Sequence, residues 1–119
     1  MTITHQISSQ EELDALLRDR DEVDISTPEP MRLTIRRAAT VRLHSPGLIE
    51  ALVAGSRAEA WADGSVAVAL AGGSVAEAWA DGSRAEAWAD GSRAEEMVAG
   101  SVAVAWAGDS VAVQYEAQS

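Results

Sequence analysis

Few residues in this chain could perform chemistry. His5 and His44 are its only histidines, and it has no cysteine. Serine recurs every ninth residue from Ser56 onward, but a serine nucleophile needs a base beside it, and no histidine follows His44. Glycine recurs as well, without the lysine of a phosphate loop or the spacing of a dinucleotide fingerprint. We therefore predict that the protein is not an enzyme, holds no metal and needs no cofactor.

The serines and glycines belong to a repeat. Seven consecutive nonapeptides run from Gly55 to Ala117, and two of them are identical as GSRAEAWAD. A period this short and regular predicts a solenoid, in which each unit contacts only its neighbours. An aspartate ends the repeat only at Asp63, Asp81 and Asp90. Calcium-binding nonapeptide β-rolls require an aspartate in nearly every unit, so no calcium site is predicted.

Alternation within the repeat predicts which side chains face inward. With the glycine numbered 1, positions 2, 4, 6 and 8 are almost always Ser, Ala, Ala and Ala, whereas positions 3, 5 and 7 vary and are larger. Side chains alternate sides along a strand, so the small set should face the interior. Two nonapeptides then make a coil of 18 residues, with two parallel sheets pressed together. Three per coil, or 27 residues, is the alternative, but an alanine lining would leave a void in it.

The chain before the repeats divides into two parts. Residues 1–22 are predicted to form a cap, with a strand over residues 2–7 followed by a helix that reaches about Arg20. Ser9 and Glu12 fit a capping box, and leucines follow at helical spacing. Residues 23–54 alternate with larger apolar side chains and are interpreted as degenerate early coils with a wider core. Residues 55–119 are the regular solenoid with a C-terminal cap. The fold class is thus mostly β, a right-handed parallel β-helix whose open end the N-terminal helix covers.

The RAEAW segments at Arg57 and Arg84, and VAEAW at Val75, carry a resemblance. They resemble nonapeptide arrays of the type SSRVEAWGS found in proteins of actinobacteria and their phages, and the likeness covers residues 55–117. It implies a right-handed parallel β-helix and no particular activity. By analogy of principle, a small acidic solenoid is also similar to pentapeptide-repeat proteins that imitate duplex DNA, although the period here is nine.

Charge suggests what the protein binds. Nineteen Asp and Glu against nine Arg give a net charge of −10, which repels nucleic acid and anionic membranes and favours basic partners. No stretch is long and apolar enough to span a membrane, so a soluble, cytoplasmic protein is expected. We predict a non-enzymatic inhibitor of phage or mobile-element origin that imitates DNA, of the anti-CRISPR type, and blocks a basic nucleic-acid-binding protein. The predicted partner-binding residues are Glu59, Asp63, Glu77, Asp81, Glu86, Asp90, Glu95 and Glu96, with Trp61 and Trp79 as apolar anchors.

The other outward face is apolar. Exposed valine, leucine and tryptophan in neighbouring strands predict that this face is covered, by a second copy in a homodimer or by the N-terminal helix. The predicted dimer face consists of Val66, Val68, Leu70, Trp88, Val102, Val104 and Trp106. The alternative function is a structural or self-associating solenoid module.

Overall fold

The computed structural model describes residues 4–98, 100–106 and 108–114 as a parallel β-solenoid of about six turns. The predicted parallel β-solenoid is therefore confirmed. The elements in chain order are β1 (Thr4–Gln6), α1 (Gln10–Leu16), β2 (Glu22–Ser26), β3 (Arg32–Ile35), β4 (Thr40–Leu43), β5 (Leu48–Ala51), β6 (Arg57–Ala60), β7 (Val66–Ala69), β8 (Val75–Ala78), β9 (Arg84–Ala87), β10 (Arg93–Glu96), β11 (Val102–Ala105) and β12 (Val111–Gln114).

Successive strands alternate between two sheets. The seven-stranded sheet has the order β1-β2-β4-β6-β8-β10-β12, and the five-stranded sheet has the order β11-β9-β7-β5-β3. From β6 onward, paired residues lie 18 positions apart, as in Arg57 with Val75 and Val66 with Arg84. Each coil of the repeat region therefore contains two nonapeptides. The earlier coils are less regular, because Leu33 pairs with Ile49 and Val41 with Ala58, which are 16 and 17 positions apart.

The interior changes along the solenoid. The N-terminal coils bury large side chains, and from β6 the buried set becomes alanine at positions 4 and 6 of the repeat. The large core side chains are Leu13, Ile25, Leu33, Ile35, Val41, Leu43 and Ile49. Methyl groups fill the later interior except at Glu96 of β10, because the two sheets lie in close apposition. The core therefore narrows toward the C-terminal coils.

Each corner is a tight turn closed by the buried serine of position 2. The Ser83 amide donates to the Ala80 carbonyl at 2.9 Å, and the Ser83 hydroxyl donates to the same oxygen at 2.5 Å. The Ala80 amide in turn donates to Ser83 Oγ at 3.1 Å. Gly82, third in this turn, has φ +84°, the left-handed value that a type II turn requires there. The expectation that position 8 faces inward was wrong, because its alanine belongs to the turn and is half-buried.

The N-terminal segment lies against the first coils. β1 pairs with β2 at the end of the seven-stranded sheet, and α1 packs on β3 with Leu13 fully buried. The Gln10 side chain bonds the edge of β3 as another strand would: its Nε2 donates to the Thr34 carbonyl at 2.8 Å, and the Thr34 amide donates to its Oε1 at 2.7 Å. This amide satisfies strand-edge groups that could otherwise recruit another chain.

The helix is shorter than the sequence predicts. Ser9 caps its start, accepting from the Glu12 amide at 3.2 Å, but Leu17 is already extended, with φ −80° and ψ 139°. Asp21 accepts from the Arg18 amide at 3.0 Å, a local turn that competes with further helix. The predicted C-terminal cap, including Tyr115 and Glu116, lies outside the described residues.

Candidate protein-binding surface

The repeat motif RAEAW forms a unit on the outer face of one strand. Its positions 3, 5 and 7 point outward together, and in the repeat that contains β9 these are Arg84, Glu86 and, directly after the strand, Trp88. Arg84 Nε contacts Glu86 Oε2 at 2.5 Å, and Trp88 Nε1 donates to Glu86 Oε1 at 2.8 Å. Arg84 and Trp88 of the same repeat thus each bond one carboxylate oxygen of Glu86. This arrangement explains why the sequence places tryptophan two residues after a glutamate in each of these units.

A column of glutamates crosses the seven-stranded sheet. Glu59, Glu77 and Glu95 pair in register and are only 3%, 3% and 9% exposed. Arg57 reaches Glu77 in the next coil, with Nη1 to Oε2 at 3.5 Å. The column points outward as predicted, but arginine and tryptophan side chains of the same chain cover it. These carboxylates are therefore bonded before any partner arrives.

Arg42 is the residue that sequence reasoning missed. In β4 it occupies the position next to Glu59 in register, and it contacts Glu22 at 2.8 Å, Asp24 at 3.2 Å and Glu59 at 3.2 Å. His44 lies 3.5 Å from Asp24. The signal was present in the sequence, since TVRLH can be aligned with RAEAW. The 17-residue spacing of this pair hides that alignment from an 18-residue search.

Glu95, the last glutamate of the column, has a raised pKa. Burial raises the pKa of the Glu95 carboxyl, a hydrogen bond shared with Glu77 raises it further, and the charge of Arg93 partly offsets both. The folded protein therefore holds this proton to a higher pH than the unfolded chain does. The resulting contribution to stability is complete below the ordinary carboxyl range and is lost as the pH rises through the folded pKa.

We expect Glu95→Gln to raise the melting temperature at pH 7 by a few degrees. An amide can keep the hydrogen bond to Glu77 without a charge, and the half-exposed ion pair with Arg93 that it loses contributes little. The control is Glu59→Gln, which weakens bonds from Arg42 and Trp61 and should lower the melting temperature. Melting curves of both variants and the parent, recorded from about pH 4.5, near the ordinary glutamate pKa, to about pH 8, measure these shifts. Equal shifts for the two variants would show that the Glu77–Glu95 hydrogen bond is unimportant.

The predicted anchors Trp61 and Trp79 form part of an aromatic column beside the glutamates. Their rings stack with centroids 4.6 Å apart and planes 5° from parallel, and His44 lies 5.6 Å from Trp61. Trp61 Nε1 donates to Glu59 at 2.7 Å and Trp79 Nε1 to Glu77 at 2.9 Å. A shallow depression of about 740 Å³ runs along this column. Both indoles are half-buried, which leaves part of each ring accessible.

The exposed carboxylates of the repeats lie at the corners. Asp63, Asp81 and Asp90 are all exposed. Asp63 lies over Gly82 of the next coil, and Asp90 Oδ1 accepts from the Asp109 amide at 3.3 Å. Asp63 and Asp81 share one corner of successive coils. These are the predicted acidic residues that a partner can reach directly.

Glu96 does not lie where the sequence reasoning put it. It was predicted to face a partner, but it occupies position 6, where its register partner is Ala78, and it is 8% exposed. Alternation along β10 turns Glu95 outward and Glu96 toward the interior. Its assignment as a partner-binding residue was therefore wrong.

The five-stranded sheet presents the predicted dimer face. Val102, Trp88 and Trp106 are exposed, whereas Val68 at the centre is nearly covered by its neighbours. Trp88 and Trp106 stack with centroids 4.9 Å apart. Val66, Leu70 and Val104 are half-buried on the same face. This outer surface is mainly apolar, and its charges include the Arg32–Glu50 and Arg84–Glu86 pairs and, directly after β3, Arg36, which pairs with Asp14.

Within the described residues, no group of three or more His, Asp and Glu could hold a metal ion, and no helix has the length and apolarity to cross a membrane. No protein-family model, curated protein or solved structure matches this chain.

Proposed function

We propose that the protein is a non-enzymatic acidic binding module that occupies the nucleic-acid site of a basic protein. The observation that carries the proposal is the exposure of the corner aspartates beside a sheet whose glutamates are already bonded within the same chain. Arg42, Arg57 and Arg93 are bonded to glutamates of the same chain. Much of the net charge of −10 lies on other carboxylates, and those that the described part of the repeats exposes are Asp63, Asp81, Asp90 and Asp109.

The spacing of these charges supports imitation of nucleic acid. Asp63 and Asp81 occupy the same corner in successive coils. Neighbouring strands of successive coils lie about 4.8 Å apart. A strand of duplex DNA carries one charge about every 3.4 Å along its axis. Arginine and lysine of a nucleic-acid groove would donate charge-assisted hydrogen bonds to these carboxylates. Trp61 and Trp79 lie two residues before them and offer flat apolar contacts.

The proposal assigns different tasks to the predicted residues. The corner aspartates contact the partner, whereas Glu59, Glu77, Glu86 and Glu95 hold the arginines and tryptophans of the surface in place. The scaffold we propose is a right-handed solenoid, the hand that parallel crossovers adopt, closed at its N-terminal end by α1. A role in the cytoplasm as an inhibitor encoded by a phage or mobile element, directed at a CRISPR effector or another DNA-binding complex, suits these features.

The test is competition with labelled duplex DNA for basic nucleic-acid-binding proteins, including CRISPR effector complexes. Asp63→Asn with Asp81→Asn should weaken binding at least about tenfold, since a hydrogen bond to a charged group contributes about 1.5–3 kcal/mol. The control, Glu11→Gln with Glu29→Gln, removes two exposed charges elsewhere and should compete like the parent. Affinity should fall steeply as salt rises.

Two results would overturn the proposal: no competition by the parent protein at low salt, or equal competition by the corner variant. A structural or self-associating solenoid would then be the better account. The exposed apolar residues of the five-stranded sheet favour that second candidate, because large apolar patches on a small protein mark interaction surfaces.

A further inference from the structure

The outer face of the five-stranded sheet is organised in rows, one row per strand. Each row consists of positions 3, 5 and 7 of a repeat. The row of β7 is Val66, Val68 and Leu70, and the row of β9 is Arg84, Glu86 and Trp88. The row of β11 is Val102, Val104 and Trp106. An apolar row, a charged row and another apolar row thus follow one another along the solenoid.

This order selects one way to pack two copies face to face. A two-fold axis parallel to the solenoid axis places each row against itself, with position 3 opposite position 7 and position 5 opposite position 5. The Val66 row then meets an identical apolar row, and so does the Val102 row. A two-fold axis that reverses the coils about β7 would instead place the β11 row against the charged β3 row, which contains Arg32.

We propose that the protein forms a homodimer through this face, with the two-fold axis parallel to the solenoid. In the charged row, Arg84 then lies against the partner's Trp88, where a guanidinium and an indole attract each other. Glu86 faces its own copy, but Arg84 and Trp88 of the same chain already bond its carboxylate. The rows of β7 and β11 are therefore self-complementary in apolarity, and the like charges of the two Glu86 carboxylates are each bonded within their own chain.

The size of the face limits the affinity expected for the homodimer. Five strands at about 4.8 Å each give the face a width of about 24 Å. A face this narrow lies at or below the low end of specific interfaces, so we expect a weak dimer that forms only at high protein concentration. Each copy carries a net charge of −10. Added salt should therefore strengthen the dimer by screening repulsion, whereas it weakens the proposed binding of a basic target. The corner aspartates are not part of this face, so dimerisation stands independently of the proposed function.

The experiment is sedimentation velocity across concentration and salt with a matched pair of variants. Val102 and Val111 both occupy position 3 and are 43% and 49% exposed, but they lie on opposite sheets. The parent and Val111→Glu should dimerise more as concentration and salt rise, whereas Val102→Glu should remain monomeric. A parent protein that stays monomeric at high concentration and high salt overturns the proposal, as does equal behaviour of the two variants.

The absence of cysteine allows a direct test of the orientation. Position 5 lies on the proposed two-fold axis, so Val104→Cys should be linked into a dimer by a bismaleimide reaching about 10 Å, the spacing of packed sheets. Val66→Cys, displaced from the axis at position 3, should react with the reagent without forming a dimer. Linking through Val66 and not through Val104 would exclude this two-fold arrangement.

Discussion

Replacing Ala78 with leucine is expected to lower the free energy of unfolding by about 3 kcal/mol or more, at the upper end of overpacked cores. Ala78 is fully buried in β8, where its register neighbours are Ala60 on β6 and Glu96 on β10 and the rest of the interior is lined by alanine. The extra atoms can enter only if the two sheets separate. Separation also loosens the strands above and below, because each coil is hydrogen-bonded to both neighbours.

The matched control is Ala80→Leu, two residues further along the same repeat. Ala80 is half-buried in the corner turn, so its side chain can extend toward solvent. We expect a change within about 0.5 kcal/mol, as for surface substitutions generally. Urea unfolding followed by tryptophan fluorescence measures both variants. If the two cost the same, the inward direction of position 6 is wrongly assigned.

The fold could be predicted because its signals are local. Period, alternation and the glycine of each corner are visible within nine residues, and they require only that small side chains face the tightest space. The widening of the core toward Ile25 and Leu33 follows from the same argument applied to larger residues. Position 8 was misassigned because alternation ends where the chain enters the turn, and a repeat pattern alone does not mark that residue.

The surface could be predicted only in part. The sequence indicates which residues point outward, but not which of them are already bonded. Glu77 is covered because an arginine 20 positions earlier reaches it from the preceding coil, a contact set by strand register. Glu59 is bonded to Arg42 through an irregular coil. Counting charges therefore overstated the number of carboxylates that a partner could meet, and the corner aspartates became distinct only in three dimensions.

A second large effect on stability is expected at Gly82, over which the corner aspartate Asp63 lies. Gly82→Ala should lower the free energy of unfolding by about 2–4 kcal/mol. About 1–3 kcal/mol of this comes from placing a side chain at φ +84°. The rest arises because the new Cβ would overlap Asp63 Oδ1 of the preceding coil, forcing that carboxylate to move.

Gly64 provides the matched control, since it has nearly the same φ, +83°, and nothing within 4 Å of the position of its Cβ. Gly64→Ala should therefore show the backbone cost alone. Adding Asp63→Ala should reduce the cost of Gly82→Ala to that of Gly64→Ala, because the obstructing oxygen is gone, and a double-mutant cycle by urea unfolding measures this coupling. A coupling of zero would mean that Asp63 does not rest on the next coil. Asp63 would then have no structural role in the corner. A clear coupling would show that the solenoid holds the Asp63 carboxylate in a fixed, exposed position where a partner can bind it.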